Sequence, residues 1–219
     1  PRQGVSKSLL ASPTMTLPPN PDVQGFLDDS EGAYLHSLAQ QAATEGPILE
    51  VGSWCGRSTI WLAAAAQHHQ TVVFALDHHR GSEEHQPGEM FHDSHLVDDT
   101  GRVDTFSAFR RNIANSGLDD WVVPIVTSSE TLARFWQTPL GMLFIDGGHS
   151  LDAALTDWRG FAQWLRPGGI LAIHDVFPDA SAGGQAPFTI WRMAKESGLF
   201  ECVGQQGSLR ALRRLGCHK

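Results

Sequence analysis

The chain has 219 residues, 41% hydrophobic and 18% charged, enough for a sizeable buried core in an ordinary soluble globular protein. A net charge of −8, with only Lys7, Lys195 and Lys219 as lysines, sets up no field that would gather nucleic acid or an anionic membrane. Three widely spaced cysteines (Cys55, Cys202, Cys217) argue against a disulfide framework or a cysteine zinc site, and no apolar run nears the ~18 residues of a membrane span, so a cytoplasmic protein is expected.

Pro1 to Asp22 carries five prolines and no hydrophobic period, which predicts a flexible arm, with one folded domain over 23–219. A helix is expected over 30–44, then a short apolar strand Ile48 to Val51 and a helix from Arg57 to Gln67. Thr71 to Leu76 reads as a second strand closing on Asp77. Residues 78–100 follow as a polar segment with His78, His79, His85, His92 and His95, a lid or acceptor loop. Their spacing fits no standard zinc motif.

The alternation then resumes: helix Val103 to Ser116, strand Val122 to Val126, helix Ser129 to Trp136 and strand Met142 to Ile145. Ser150 to Leu165 predicts a helix burying Leu151, Leu155, Trp158, Ala162 and Leu165, broken by Pro167-Gly168-Gly169. A strand Ile170 to Ile173 runs into His174-Asp175. A last helix covers Phe188 to Ser197, and Phe200 to Val203 with Leu209 to Leu212 form a terminal hairpin. Strands alternating with amphipathic helices give an α/β fold: a mostly parallel sheet with helices on both faces.

Two stretches carry the candidate chemistry. After the first strand the pattern is ExGxxxG (Glu50, Gly52, Gly56), and Trp54 stands where a dinucleotide fingerprint needs its second glycine. A bulky ring there disfavours a diphosphate, so a cofactor without phosphates fits better. Asp77, ending the next strand, is placed to bind ribose hydroxyls. In Leu143-Phe144-Ile145-Asp146-Gly147-Gly148-His149-Ser150, an acid and an imidazole follow a buried strand across a glycine turn. Asp146 and His149 can ligate a metal, act as a base or simply satisfy the turn.

ILEVGSWCGRS closely resembles the first motif of class I S-adenosylmethionine methyltransferases, especially the catechol O-methyltransferase branch. FIDGGHS…DW…WLRPGGILAIHDVF resembles a bacterial small-molecule group that includes sugar O-methyltransferases of macrolides and polysaccharides. The resemblance spans about 48–177. It implies a Rossmann-like seven-stranded sheet whose last strand is antiparallel, in keeping with the terminal hairpin. Carried over, Glu50, Gly52, Ser53 and Ser58, with Gly56 closing the turn, hold the cofactor's amino-acid end, Asp77 its ribose, and Ser128 or Ser129 lies by the adenine.

In the catechol branch a divalent metal is held by an acid ending one strand and an Asp-Asn pair ending the next, with a base three residues beyond the first acid. By this resemblance Asp146 is the first metal ligand, Asp175 the second, and His149 the general base, with magnesium the expected ion. Val176 stands where the third ligand is expected, and His174 is expected to point away from the site.

The resulting expectation is an O-methyltransferase transferring methyl from S-adenosylmethionine to a hydroxyl of a small acceptor. The polar flanks favour a sugar or oligosaccharide over a catechol-type phenol, with Trp54 or Trp191 as an aromatic platform. No nucleic acid or membrane partner is expected, and a homodimer is the expected assembly. The alternatives are an NAD(P)-dependent oxidoreductase and a non-catalytic metal-binding module.

Overall fold

The computed structural model describes residues 23–82, 85, 86, 88, 89, 93–148 and 150–216. The arm at 1–22, Glu83, Glu84 and His92 of the polar segment, and His149 lie outside the described residues. The elements run α1 (Asp29–Ala42), β1 (Ile48–Val51), α2 (Arg57–His68), β2 (Val73–Asp77), α3 (Phe106–Asn115), β3 (Val122–Val126), α4 (Ser129–Ala133), β4 (Leu140–Ile145), α5 (Leu151–Phe161), β5 (Leu165–Ile173), α6 (Ala186–Glu196), β6 (Phe200–Gln206) and β7 (Leu209–Arg214). No helix among the described residues is long and apolar enough to cross a membrane.

The strands form a seven-stranded sheet in the order β3-β2-β1-β4-β5-β7-β6. The first five are parallel, and the β6–β7 hairpin joins β5 antiparallel, with Ile173 opposite Arg210. Strand residues alternate between two cores, as the pleat requires. Ile48, Ala75, Phe144 and Ala172 face a core shared with α1, α2 and α3. Leu49, Leu76, Ile145 and Ile173 face one shared with α4, α5 and α6. The order reverses between β1 and β4, which opens a crevice at their carboxyl ends, where ligands of such sheets bind.

Two local expectations are corrected. Pro167-Gly168-Gly169 does not precede β5 but lies inside it: the strand starts at Leu165, and the glycines fall where its register against β4 shifts. The buried face of α5 is Ala154, Asp157 and Phe161, while Leu151 is exposed. Leu155 and Trp158 still pack partly buried against the core and Ala162 and Leu165 are buried, so only Leu151 leaves the expected stripe, and an acid outside it also faces the core.

Candidate active site

One half of the crevice is built from the loops after β1 and β2. Gly52 (φ 90) leaves β1 pressed against the backbone of Asp146, so a Cβ there would collide with the Asp146 carbonyl oxygen. Only glycine allows that approach in that conformation. The Asp77 carboxylate accepts Trp54 N–H at 2.8 Å on Oδ2 and His79 N–H at 2.7 Å on Oδ1. It thereby ties the two loops together at the sheet edge. Trp54 takes up a left-handed turn (φ 46), and its ring lies 4.1 Å from that of His85.

Glu50 is fully buried and accepts hydroxyl hydrogens from Ser58 (2.6 Å) and Thr59 (2.5 Å). Burial pushes its carboxyl up to about 8, against the pull of those two hydroxyls. The Ser53 hydroxyl is buried with no partner among the described residues. A buried hydroxyl left in that state points to a group supplied from outside the chain.

The other half stands at the ends of β4 and β5. Asp146 N–H bonds to the Val51 carbonyl and His174 N–H to the Ile145 carbonyl, so both residues continue the ladder by one step. The register Ile145↔Ile173 then sets Asp146 beside His174, on the same side of the sheet. His174 therefore does not point away from the site. Its Nδ1–H donates to Asp146 Oδ1 (2.9 Å), with Asp175 Oδ2 3.6 Å away, and its Nε2–H donates to Glu31 Oε2 (3.0 Å).

Strand alternation fails at the next residue because Asp175 is left-handed (φ 55), which keeps its carboxylate in the same cluster. Val176, the position expected to lack a third ligand, is fully buried in the core under α5 and α6 and has no place in the site. The polar pair that the end of β5 brings to the cluster is thus His174-Asp175, one residue earlier than the Asp175-Val176 pair expected from the sequence. One ligand-type atom from each of Asp146, His174 and Asp175 lies within 4.8 Å of the others, a donor set suited to a divalent cation. The described histidines of 78–100 enter no such group. His79 is a core residue, buried against Phe106 and Phe109 with Nδ1 on the Thr105 hydroxyl.

Burial would lower the basicity of His174, but the charges of Asp146, Glu31 and Asp175 outweigh it and hold the ring protonated. Glu31 is buried too, yet its carboxyl lies well below the usual range because His174 and Ser208 bond to it. Ser208 gives it both its N–H (2.6 Å) and its hydroxyl (3.0 Å). Glu31 also accepts the Asp28 N–H at the start of α1 (3.3 Å), so one side chain joins a helix start, the β6–β7 turn and the site.

Sequence reasoning gave Glu31 no role, because nothing local marks it as more than a residue in a first helical turn. It also passed over Asp157, which is buried on α5. Burial raises that carboxyl to about 6. A Cβ on Gly147 would lie 2.8 Å from its Oδ2, so Asp157 supports the glycine turn after Asp146 from below. Ser128 caps α4 through its Oγ on the Thr131 N–H and is half-buried.

A family model described as a methyltransferase domain matches residues 49–176, more than half of the chain. The chain belongs to that methyltransferase family. Among solved structures it is similar to the O-methyltransferase NovP (TM-score 0.66, 14% identity, 85% of this chain and 80% of that one). It is also similar to cofactor-bound Rv0187 from MTB (0.62, 19%, 86% and 81%). A third is the O-methyltransferase TomG from Streptomyces achromogenes, solved in complex with SAM (0.58, 17%, 87% and 82%). At these identities the likeness concerns the fold.

Proposed function

We propose that this protein transfers the methyl group of S-adenosylmethionine to a hydroxyl of a small acceptor, a sugar or other polyol, with a divalent cation at Asp146 and Asp175 and His149 as general base. The observation that carries the proposal is the pairing of two sites across the β1/β4 crevice. Asp77 and the buried Glu50–Ser58 cluster stand on one side, and the Asp146–His174–Asp175 cluster on the other. The methyltransferase family match supports the reaction class, and the SAM named for TomG supports the donor. The oxidoreductase alternative has neither the dinucleotide glycines nor the family in its favour.

Transfer from a sulfonium is an in-line displacement: the acceptor oxygen bonds to the methyl carbon as the carbon–sulfur bond breaks, and the hydroxyl proton must leave. Asp77, held by the two N–H groups it accepts, would take the ribose hydroxyls. The Ser53 hydroxyl and the Glu50 cluster would receive the donor's amino-acid end, a role supported by the buried Ser53 hydroxyl having no partner among the described residues. Asp146 and Asp175 would hold the cation, which orients the acceptor oxygen and lowers its pKa when bound. With carboxylates alone, magnesium is the expected ion. His149, three residues past Asp146, would take the proton; this role rests on the sequence.

The test combines binding and turnover. Calorimetry should detect S-adenosylhomocysteine and no NAD. Methyl transfer to a panel of saccharides, read by mass spectrometry, should exceed transfer to catechols and cease on chelation. Methylation of catechols alone would overturn the sugar assignment, and chelator-resistant activity would overturn the metal.

A further inference from the structure

The cluster at the ends of β4 and β5 is not made of carboxylates alone, and its histidine is held from behind. Nδ1 of His174 faces Asp146 Oδ1 at 2.9 Å and Asp175 Oδ2 at 3.6 Å. Ligand atoms at right angles around an ion with bonds of about 2.1 Å stand about 3 Å apart. Nδ1 is therefore at shell spacing from Asp146 and somewhat wider from Asp175, and all three ligand atoms lie within 4.8 Å of one another. The opposite ring nitrogen is bonded to Glu31, which is fixed in turn by Ser208 and by the start of α1. A metal-binding imidazole whose other nitrogen donates to a carboxylate is a recurrent arrangement, because the outer acid sets the ring's orientation and raises its strength as a ligand.

We infer that His174 is itself a ligand of the divalent cation through Nδ1, with Glu31 as its outer carboxylate, and that this nitrogen makes the site favour manganese or zinc over magnesium. Magnesium takes hard oxygen donors, whereas imidazole suits the first-row transition metals. Ligation replaces the Nδ1 proton, which passes to solvent, while Nε2–H stays on Glu31. The inference rests on the metal part of the proposed function and adds a third ligand, an outer residue and a metal preference.

The experiment uses the full chain and the metals alone. Pulsed electron paramagnetic resonance of the manganese-loaded wild type should show modulation from a coordinated nitrogen, and His174→Asn should abolish it. Calorimetry should show the zinc-to-magnesium affinity ratio falling at least about tenfold in His174→Asn, the usual scale for disturbing a metal ligand's support. Retained S-adenosylhomocysteine binding certifies the fold of the variant. Should His174→Asn lose that binding, His174→Gln, whose longer amide reaches towards Glu31, carries the same comparison. Metal bound with oxygen donors only, or an unchanged ratio, overturns the inference and leaves the proposed function standing. No metal binding at all overturns both.

Discussion

The two halves of the crevice are held by different means. On the proposed cofactor side the bonds are short in sequence: Ser58 and Thr59 reach Glu50 eight and nine residues away, and Trp54 reaches Asp77 across 23. On the proposed acceptor side, His174 reaches Glu31 across 143 residues and Ser208 reaches it across 177. The first half is one strand–loop–helix unit plus its neighbouring strand. The second exists only once α1, β4, β5 and the terminal hairpin have all assembled. A defect in the first should therefore show in ligand affinity, and a defect in the second in both chemistry and stability.

The largest expected separation comes from His149→Ala, which should lower kcat at saturating donor by a hundredfold or more while S-adenosylhomocysteine affinity holds. A variant keeping over a tenth of the rate would remove His149 from the base role. Next is Glu31→Gln, which removes one of the buried His174's carboxylate partners and leaves Asp146 and Asp175, and should cost about 3 kcal/mol of unfolding free energy in denaturant titration. A loss below about 1 kcal/mol would mean that Glu31 does not anchor the acceptor half.

Asp77→Asn acts on the other half. Its amide cannot accept both N–H groups and a ribose hydroxyl as well, so S-adenosylhomocysteine affinity should fall roughly tenfold or more, a loss of about 1.5–3 kcal/mol. Unchanged affinity in calorimetry would end its assignment to the ribose.

Glu50 provides a pH test. Its folded carboxyl is raised to about 8 from an ordinary value of 4.5, so the folded state holds the proton that the unfolded state has released. Its contribution to stability is then full below the ordinary value and is lost as pH rises through about 8. Melting temperature should decline over that window in the wild type and less steeply in Glu50→Gln; parallel curves would refute the assignment. The smallest effect is expected from Ser129→Ala, which removes the hydroxyl that draws the Asp157 carboxyl down against its burial and should cost about 1 kcal/mol. A neutral result in thermal melts would show that Asp157 needs no such partner.

Much of this molecule was legible in its sequence because the signals are local. Alternating strand and helix periods gave the α/β sheet, and the terminal apolar runs gave the hairpin at its edge. Gly52, Glu50 and Asp77 could be singled out because a tight turn and a strand-end acid each depend on a few neighbouring residues. Asp146 was equally readable, ending a buried strand before two glycines.

Tertiary structure alone decided the rest. The side to which His174 turns depends on the parallel register Ile145↔Ile173, which no residue near His174 encodes. That Asp175 joins the same cluster depends on a left-handed residue at the strand end, and that Val176 leaves it depends on the core beneath. Asp157 lies outside the apolar stripe of α5, and its burial depends on what packs against that helix. Glu31 became part of the site only because α1 lies across the ends of distant strands, where a buried imidazolium between carboxylates is stable only if every partner is in place. Local chemistry determined which residues could serve as donors, and strand register determined which of them meet.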